Sequence, residues 1–426
     1  MDPGTVCSVV IPVFNEAGNL EQVFHDLSRQ RRRGQVDGPG KQPFELILVD
    51  NNSTDPSRQI IAEAAGRDLG YEVICVQEPR QGVAHARKTG MDHAVARSLE
   101  RDRRCGLHRP HYLLSADADC RLEEDWVDGL LRKLEDTRAA LAVSHYYYAE
   151  ADFPDQPRLF QVLALIVKAR QYAWELMGGF PDGKGFAVDR DKYRKVGGIE
   201  LFYQVRDGEF VCHLSDDWDF GIKLRASGED LVFAPRSRVR IHPRRVQEGL
   251  DDMLEGVAYG RNGIITMKDH RPLRPSVRED LSPAQAERLF ANAIKDFTPK
   301  NILLPPLLTP ALLERQPVLE FLGPDLCARL AARIGEIQAE MHIQDFLPIH
   351  RYKTPSYRLY LELREDLFQR MRLKIDPAIG TPPPLPGCLE RILRTQPARF
   401  ADFVHYYAED RESGEAHNYF CNGGVF

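Results

Sequence analysis

Two carboxylates one residue apart, Asp117 and Asp119, close the apolar run Tyr112-Leu113-Leu114-Ser115-Ala116. Acids in this pattern suit a divalent cation, because magnesium and manganese take hard oxygen ligands and are often held by one or two carboxylates plus substrate phosphates. In an extended chain the two side chains point to opposite faces, so a bend within Asp117-Ala118-Asp119 is needed before both address one ligand. A second acidic pair, Asp216-Asp217, precedes Trp218, Ile222 and Leu224, where the acids either cap a helix running to Gly228 or supply a proton acceptor. His242 follows the strand-like Val239-Arg240-Ile241 and is either structural or a ligand beside carboxylate oxygens. Arg87, at the start of a helical stretch, suits a carboxylate or a diphosphate, and Asp50 suits either an N–H donor on a ligand or its own turn.

The elements that must position these residues alternate. Cys7 to Phe14 is β-branched and apolar, and Asn15-Glu16-Ala17-Gly18-Asn19 leads from it into a helical pattern with Leu20, Val23, Phe24 and Leu27 on one face. Phe44 to Val49 reads as a second strand and ends in Asp50-Asn51-Asn52-Ser53-Thr54-Asp55. Tyr71 to Val76 reads as a third and leads through Gln81 to Arg87 into another helix, and Tyr112 to Ser115 is the fourth. Strand alternating with helix predicts a parallel sheet whose ligands collect outside the carboxyl ends of the strands, where all these polar residues fall.

In order along the chain, Val10-Ile11-Pro12-Val13-Phe14-Asn15-Glu16, Val49-Asp50-Asn51-Asn52-Ser53-Thr54-Asp55, Gly82-Val83-Ala84-His85-Ala86-Arg87-Lys88-Thr89-Gly90 and Asp117-Ala118-Asp119 resemble the family 2 glycosyltransferases. The likeness continues through Gly185-Phe186-Ala187-Val188, Val196-Gly197-Gly198 and Asp216-Asp217-Trp218-Asp219-Phe220-Gly221, covering roughly residues 5 to 245. It implies a GT-A fold, a Rossmann-like, mostly parallel sheet flanked by helices. It also implies a nucleotide-diphosphate sugar as donor, UDP-linked more often than GDP-linked, with Mn2+ or Mg2+ and transfer with inversion to an acceptor hydroxyl. By the same resemblance Pro12, Val13, Phe14 and Glu16 wall the nucleotide pocket, Asp50 accepts from the base, and Arg87, Asp117 and Ala118 contact the donor. Asp119 and Asp117 hold the metal, with His242 as a third ligand, and Asp217 is the catalytic base. The pair here is Asp-Asp where the family more often has Glu-Asp. A retaining transferase on the same fold and an inactive nucleotide-sugar-binding module are the rival readings, and the acceptor, whether saccharide, lipid-linked or small molecule, is not legible.

The rest of the chain bounds these expectations. With 426 residues, 43% hydrophobic and 28% charged, and a formal net charge of −6, the chain has the composition of a globular enzyme and gives no reason to expect nucleic acid. The eight cysteines are scattered without a C-x-x-C pair, as expected of reduced thiols in a cytoplasmic protein. Met1-Asp2-Pro3-Gly4 has no signal-peptide pattern. Leu159 to Met177, interrupted by Lys168, Arg170 and Glu175, reads as an amphipathic helix and not a membrane span; peripheral membrane contact stays open. Arginines concentrate between Arg236 and Arg245, around His242, where Arg244 and Arg245 suit a diphosphate. The likeness gives out near residue 275, which divides an expected catalytic domain, 1–275, from a mainly helical region, 276–426, open to a role in oligomerisation. There Ser282-Pro283-Ala284-Gln285 spells a capped helix start, Thr309-Pro310 resembles another, and Leu326, Leu330, Ile334, Ile337 and Met341 follow helical spacing. A Pro-rich break follows at Thr381 to Pro386.

Overall fold

A computed structural model describes residues 5–31, 42–201, 203–206, 209–212, 216–244, 246, 250, 254, 279–340 and 348–383. The chain divides into two compact units, Met1–Ala149 with Gly179–His242, and Glu150–Gly178 with Pro243–Phe426.

The first unit is built on an eight-stranded sheet, with α2 (Ser57–Ala64), α4 (Trp126–Thr137) and α6 (Arg190–Lys195) among its helices. In chain order its strands are β1 (Cys7–Val13), β2 (Phe44–Asp50), β3 (Glu72–Gln77), β4 (Tyr112–Ser115), β5 (Arg121–Leu122), β6 (Leu141–Tyr147), β7 (Phe186–Asp189) and β10 (Leu231–Arg240). A separate antiparallel pair is formed by β8 (Tyr203–Arg206) and β9 (Glu209–Cys212). The spatial order is β3-β2-β1-β4-β7-β6-β10-β5. Four neighbouring pairs, β3 with β2, β2 with β1, β1 with β4 and β6 with β10, are parallel; β7 runs antiparallel to both β4 and β6, and β5 antiparallel to β10. The fold class expected from the sequence is present, as a mixed sheet flanked by helices. Because β7 is reversed, the loop before it lies at the edge where β1, β2 and β4 end, and this decides what the site contains.

β1 and β2 are buried at every residue, as continuous apolar strands covered on both faces must be. β3 is less buried than its apolar run suggests, because it is the edge of the sheet. The expected helical face is seen in α1 (Ala17–Ser28), which buries Leu20, Val23, Phe24 and Leu27. α3 (Val83–Cys105) seats on the sheet at Gly90, where an added Cβ would stand 2.4 Å from Val10 and 2.7 Å from Val49. No larger residue admits this approach.

Polar pairing fills the opposite end of this unit. Arg101 donates to His111 Nδ1 (3.3 Å), and a nitrogen with a donor aimed at it must be the acceptor, so His111 carries its proton on Nε2, 3.0 Å from Ser8 Oγ. Ser8 in turn donates to Glu45 (2.8 Å). Arg190 is fully buried and donates to Asp102 (2.8 Å).

The second unit is helical. α5 (Pro157–Met177) is the helix read from the sequence, and its first turn is capped from far along the chain, since Asp280 accepts from the backbone N–H of Arg158 (3.0 Å) and Leu159 (3.1 Å). Trp174 Nε1 donates to Asn301 (2.7 Å) and Lys168 to Asp376 (2.7 Å). These bonds explain why residues 150–178 group with the later part of the chain. The capping box at Ser282 is present as expected, opening the helix Pro283–Thr298. Thr309-Pro310 differs from expectation: it opens only a 3-10 turn, Pro310–Glu314, with no side-chain cap. Leu326, Leu330 and Ile334 are buried on the helix Pro324–Glu340. Met341 and residues 384–426, including the second half of the Pro-rich break, lie outside the described residues. Among the described residues no helix is long and apolar enough to cross a membrane.

Candidate active site

The acids at the end of β4 are presented by the bend that their spacing requires. Cys120 N–H bonds back to the Asp117 carbonyl (3.2 Å), closing a turn in which Ala118 is buried while Asp117 and Asp119 are each partly exposed. The Cys120 thiol, buried and beside both acids, is held far above its ordinary value and stays neutral.

Arg87 lies on the second turn of α3 and is almost wholly buried, 2% exposed. Its Nη2 donates to Asp117 Oδ1 at 2.9 Å, and its Nη1 stands 3.8 Å from Asp217 Oδ2. Asp217 belongs to the first turn of α7 (Asp216–Ala226), where its other oxygen accepts from the Trp218 N–H (2.8 Å). One oxygen thus serves the helix and the other faces Arg87. The carboxylate is 14% exposed, enough for a ligand to reach it.

A loop without a legible code fixes these groups. Residues 179–185 lead into β7, and the Gly183 carbonyl accepts from the Asp117 N–H (2.6 Å). A Cβ at Gly183 would fall 2.2 Å from Asp117 Oδ2, so the backbone there is the wall against which this carboxylate lies. Phe180 stacks on Trp218 with centroids 4.9 Å apart, and Pro181 packs against Gly221, where a Cβ would come within 2.4 Å. The helices carrying Arg87 and Asp217 thus each rest on a glycine one turn below the functional residue. Lys184 pairs with Asp182 (3.1 Å) and lies 5.1 Å from the Tyr146 ring centre. None of these contacts has a sequence signal beyond the glycines.

The loops after β1, β2 and β3 are laced to one another. Asn15, in the left-handed conformation (φ 56), accepts from the Thr54 N–H (2.8 Å), and Asp55 accepts from the Ala17 N–H (3.1 Å). Burial raises the Asp55 carboxyl but hydrogen bonds from Ser57 and Ala17 outweigh it and leave it below its ordinary value. Buried Asn51 donates to the carbonyls of Glu78 (2.9 Å) and Arg80 (2.7 Å) and accepts from the Gly82 N–H (2.7 Å). Asp50, buried at the end of β2 opposite Val13, accepts from the Ser53 N–H (3.3 Å). Pro12 and Val13 are buried in β1, whereas Phe14 and Glu16 are partly exposed in the following loop. The arrangement is a groove-edge scaffold of backbone amides and acids at the carboxyl ends of β1, β2 and β4, the position at which open α/β sheets bind nucleotides.

β10 ends at the same edge. It pairs antiparallel with β5 through Val239 with Leu122 and Arg240 with Arg121; His242 lies two residues after Arg240 and Asp119 two residues before Arg121. His242 is exposed, and Arg245 lies outside the described residues, as does the side chain of Asp216. Among the described residues no group of three or more His, Cys, Asp or Glu side chains is clustered as a metal site. Two carboxylates on a tight turn nevertheless suit magnesium or manganese, which complete their shells with water and substrate phosphate oxygens.

The fold and these motifs define an α/β domain with its polar loops at one sheet edge. Residues 8–197 match the family model described as glycosyl transferase family 2, and this part of the chain belongs to that family. α7 and His242 lie beyond the matched residues. Glycosyltransferase GlyA of Streptococcus pneumoniae is 24% identical over 319 residues, 70% of this chain and 41% of the relative. An undecaprenyl-phosphate 4-deoxy-4-formamido-L-arabinose transferase of Edwardsiella ictaluri is 36% identical over 86 residues, 20% of this chain and 25% of the relative. The chain spans less than half the length of these curated relatives. Among solved structures, the mannosyltransferase PcManGT of Pyrobaculum calidifontis, in complex with GDP-Man and Mn2+, aligns over 86% of this chain and 89% of its own at 17% identity and a TM-score of 0.42.

Proposed function

We propose that this chain is a metal-dependent, inverting glycosyltransferase that moves a sugar from a nucleotide-diphosphate donor, UDP-linked in preference to GDP-linked, to an acceptor hydroxyl. The observation that carries the reading is the meeting of Asp117 and Asp217, remote in sequence, on one buried arginine in a domain of family 2. Both relatives are named as transferases, and the arabinose transferase by its name uses undecaprenyl phosphate; a lipid-linked acceptor is one candidate here.

In this reading Pro12, Val13, Phe14 and Glu16 line the nucleotide, Asp50 accepts from the base, and Asp117, Ala118 and Arg87 meet the ribose and diphosphate. Asp119 and Asp117 would hold Mn2+ or Mg2+, with His242, and the cation would stabilise the departing diphosphate. Asp217 takes the acceptor proton through the oxygen that does not bond its own helix. Inversion needs only this one base and a single displacement. Gly183 and Arg87 keep Asp117 in place, so the carboxylates are ordered before the donor arrives.

The test is a donor screen by thermal shift with manganese, in which a ligand at 100 times its dissociation constant stabilises by about 2.7 kcal/mol. NMR of the product then gives the anomer. No shift with any UDP- or GDP-sugar would overturn the donor assignment, and a retained anomer would overturn inversion.

A further inference from the structure

The segment that enters β7 touches both halves of the proposed site, one at each of its ends. Phe180, Pro181, Gly183 and Gly185 are buried, whereas Asp182 and Lys184 are partly exposed. At the first end Phe180, 1% exposed, meets two residues of α7. The Trp218 ring stacks on it with centroids 4.9 Å apart and planes at 29°, and the Arg225 guanidinium stands 5.7 Å from its ring centre. Pro181 occupies the space beside Gly221, where a Cβ would come within 2.4 Å. Positions 218, 221 and 225 fall on one face of a helix, so these contacts fix how α7 is rotated about its axis. Successive residues of a helix are turned by about 100°, so a rotated α7 would carry Asp217 away from the Arg87 guanidinium.

At the second end the Asp182 carboxylate accepts from the Lys184 backbone N–H (3.0 Å) and from Lys184 Nζ (3.1 Å), and the Asp182 carbonyl accepts from the Gly185 N–H (3.2 Å). The turn so closed aims the Gly183 carbonyl at the Asp117 N–H (2.6 Å), and the Gly185 carbonyl ties it to β6 by accepting from the Ser144 N–H (2.9 Å). The bonds of Asp182 are made to the protein itself, as expected of a residue that places others and does not hold a ligand.

We propose that residues 180–184 are a positioning element with two separable ends: Phe180 sets the orientation of Asp217 through α7, and Asp182 sets the place of Asp117 through the Gly183 carbonyl. Both are positioning residues. The inference rests on the transferase reading for what the two acids do, and not for the division of the segment. In that reading the Asp182 end governs binding of nucleotide with metal, and the Phe180 end governs removal of the acceptor proton.

The test separates the ends. Asp182→Ala removes the acceptor that closes the turn, Phe180→Leu removes the ring and keeps an apolar side chain, and Phe24→Leu makes the same change at an equally buried position (1%) on α1. Amide exchange followed by mass spectrometry needs no ligand; it is expected to quicken in residues 112–122 in Asp182→Ala and in residues 216–226 in Phe180→Leu, each leaving the other segment as in wild type. Calorimetry with UDP and with GDP, each with manganese, is expected to show affinity lowered about 10- to 100-fold in Asp182→Ala and unchanged in Phe180→Leu. Asp182→Asn, which keeps an acceptor for the Lys184 N–H, restores most of that affinity. Turnover is read as nucleotide release from UDP-glucose, UDP-N-acetylglucosamine and GDP-mannose, in which water replaces the diphosphate on the anomeric carbon and gives its proton to Asp217. At saturating donor it is expected to fall about 10- to 100-fold in Phe180→Leu and to stay near wild type in Phe24→Leu, whereas a loss of stability alone would affect both alike. Wild type that binds neither nucleotide would overturn the transferase reading and leave the exchange pattern to decide this inference. Exchange that quickens in both segments alike, or in neither, overturns it, as does Phe180→Leu turnover within about twofold of Phe24→Leu.

Discussion

Arg87 Nη2 lies 2.9 Å from Asp117 while its Nη1 lies 3.8 Å from Asp217, so one buried guanidinium spans the acid of the β4 turn and the acid of the α7 helix. Lysine at this position keeps the charge but reaches only one acid at a time. Arg87→Lys is expected to lower turnover by about 10- to 100-fold at little cost in stability, a range equal to roughly 1.4 to 2.7 kcal/mol of transition-state stabilisation. Arg87→Gln leaves two acids without their cation in a partly buried site and is expected also to lower the melting temperature. Steady-state kinetics beside melting curves check both; wild-type turnover in the lysine variant would reduce Arg87 to packing.

Asp217→Asn preserves the hydrogen bond to the Trp218 N–H and removes the proton acceptor. Turnover is expected to fall by about 100- to 10,000-fold with donor affinity nearly constant. Kinetics with the true acceptor and calorimetry with donor nucleotide measure the two separately. If turnover stays within a few fold of wild type, Asp217 is a helix cap and not a base.

Gly183→Ala is a substitution whose cost falls on the site. Its φ is not in the left-handed region, so the backbone tolerates alanine, but the new methyl would overlap the Asp117 carboxylate. Loss of metal-dependent nucleotide binding with a near-wild-type melting temperature is the expected result. Gly90→Ala, which would clash with Val10 and Val49 in the core, should instead lower the melting temperature first.

Metal use is tested by chelation and by ligand removal. Exhaustive chelation and Asp119→Ala should each abolish most turnover, and His242→Ala should weaken manganese binding measured by calorimetry with nucleotide present. A His242→Ala protein that titrates like wild type would take the imidazole out of the ligand set.

Stability should fall on acidification for a specific reason. Burial, then the charges of Arg101 and Arg190, push His111 down to about 3 from an ordinary 6.5, and burial, then the Arg238 charge, pushes His145 to about 4. Between pH 6.5 and those values the unfolded chain takes up protons that the folded chain refuses, so stability decreases as pH falls through this window. For Asp102 burial acts upward, but hydrogen bonds from Arg101 and Arg190 prevail and hold it at about 2, so its contribution is complete above its ordinary 3.8 and is lost as pH falls toward 2. Melting temperature against pH should decline from pH 7 to 4.5, and His111→Gln, whose amide can replace both ring contacts, should flatten the decline. An unchanged slope in the variant would show that the network around His111 does not set it.

The sequence by itself determined the alternation of strand and helix, the buried face of α1, a helix over residues 159–177, the cap at Ser282 and the need for a bend between Asp117 and Asp119. Each is a local matter, fixed by side-chain period, capping chemistry or the two-residue repeat of a strand. The same local signals allowed Asp217 to be read as cap or base and Arg87 as a partner for a carboxylate or for a diphosphate, because spacing along a chain carries no distance between remote residues. Tertiary structure alone decided that these two meet and that β7, by running backward, brings Gly183 against Asp117. It also split the arginines of β10 from its buried residues, and it gathered residues 150–178 with Asp280, Asn301 and Asp376. Those outcomes depend on strand order and direction, which follow from how whole elements bury their surfaces against one another and leave no mark on any short stretch of sequence.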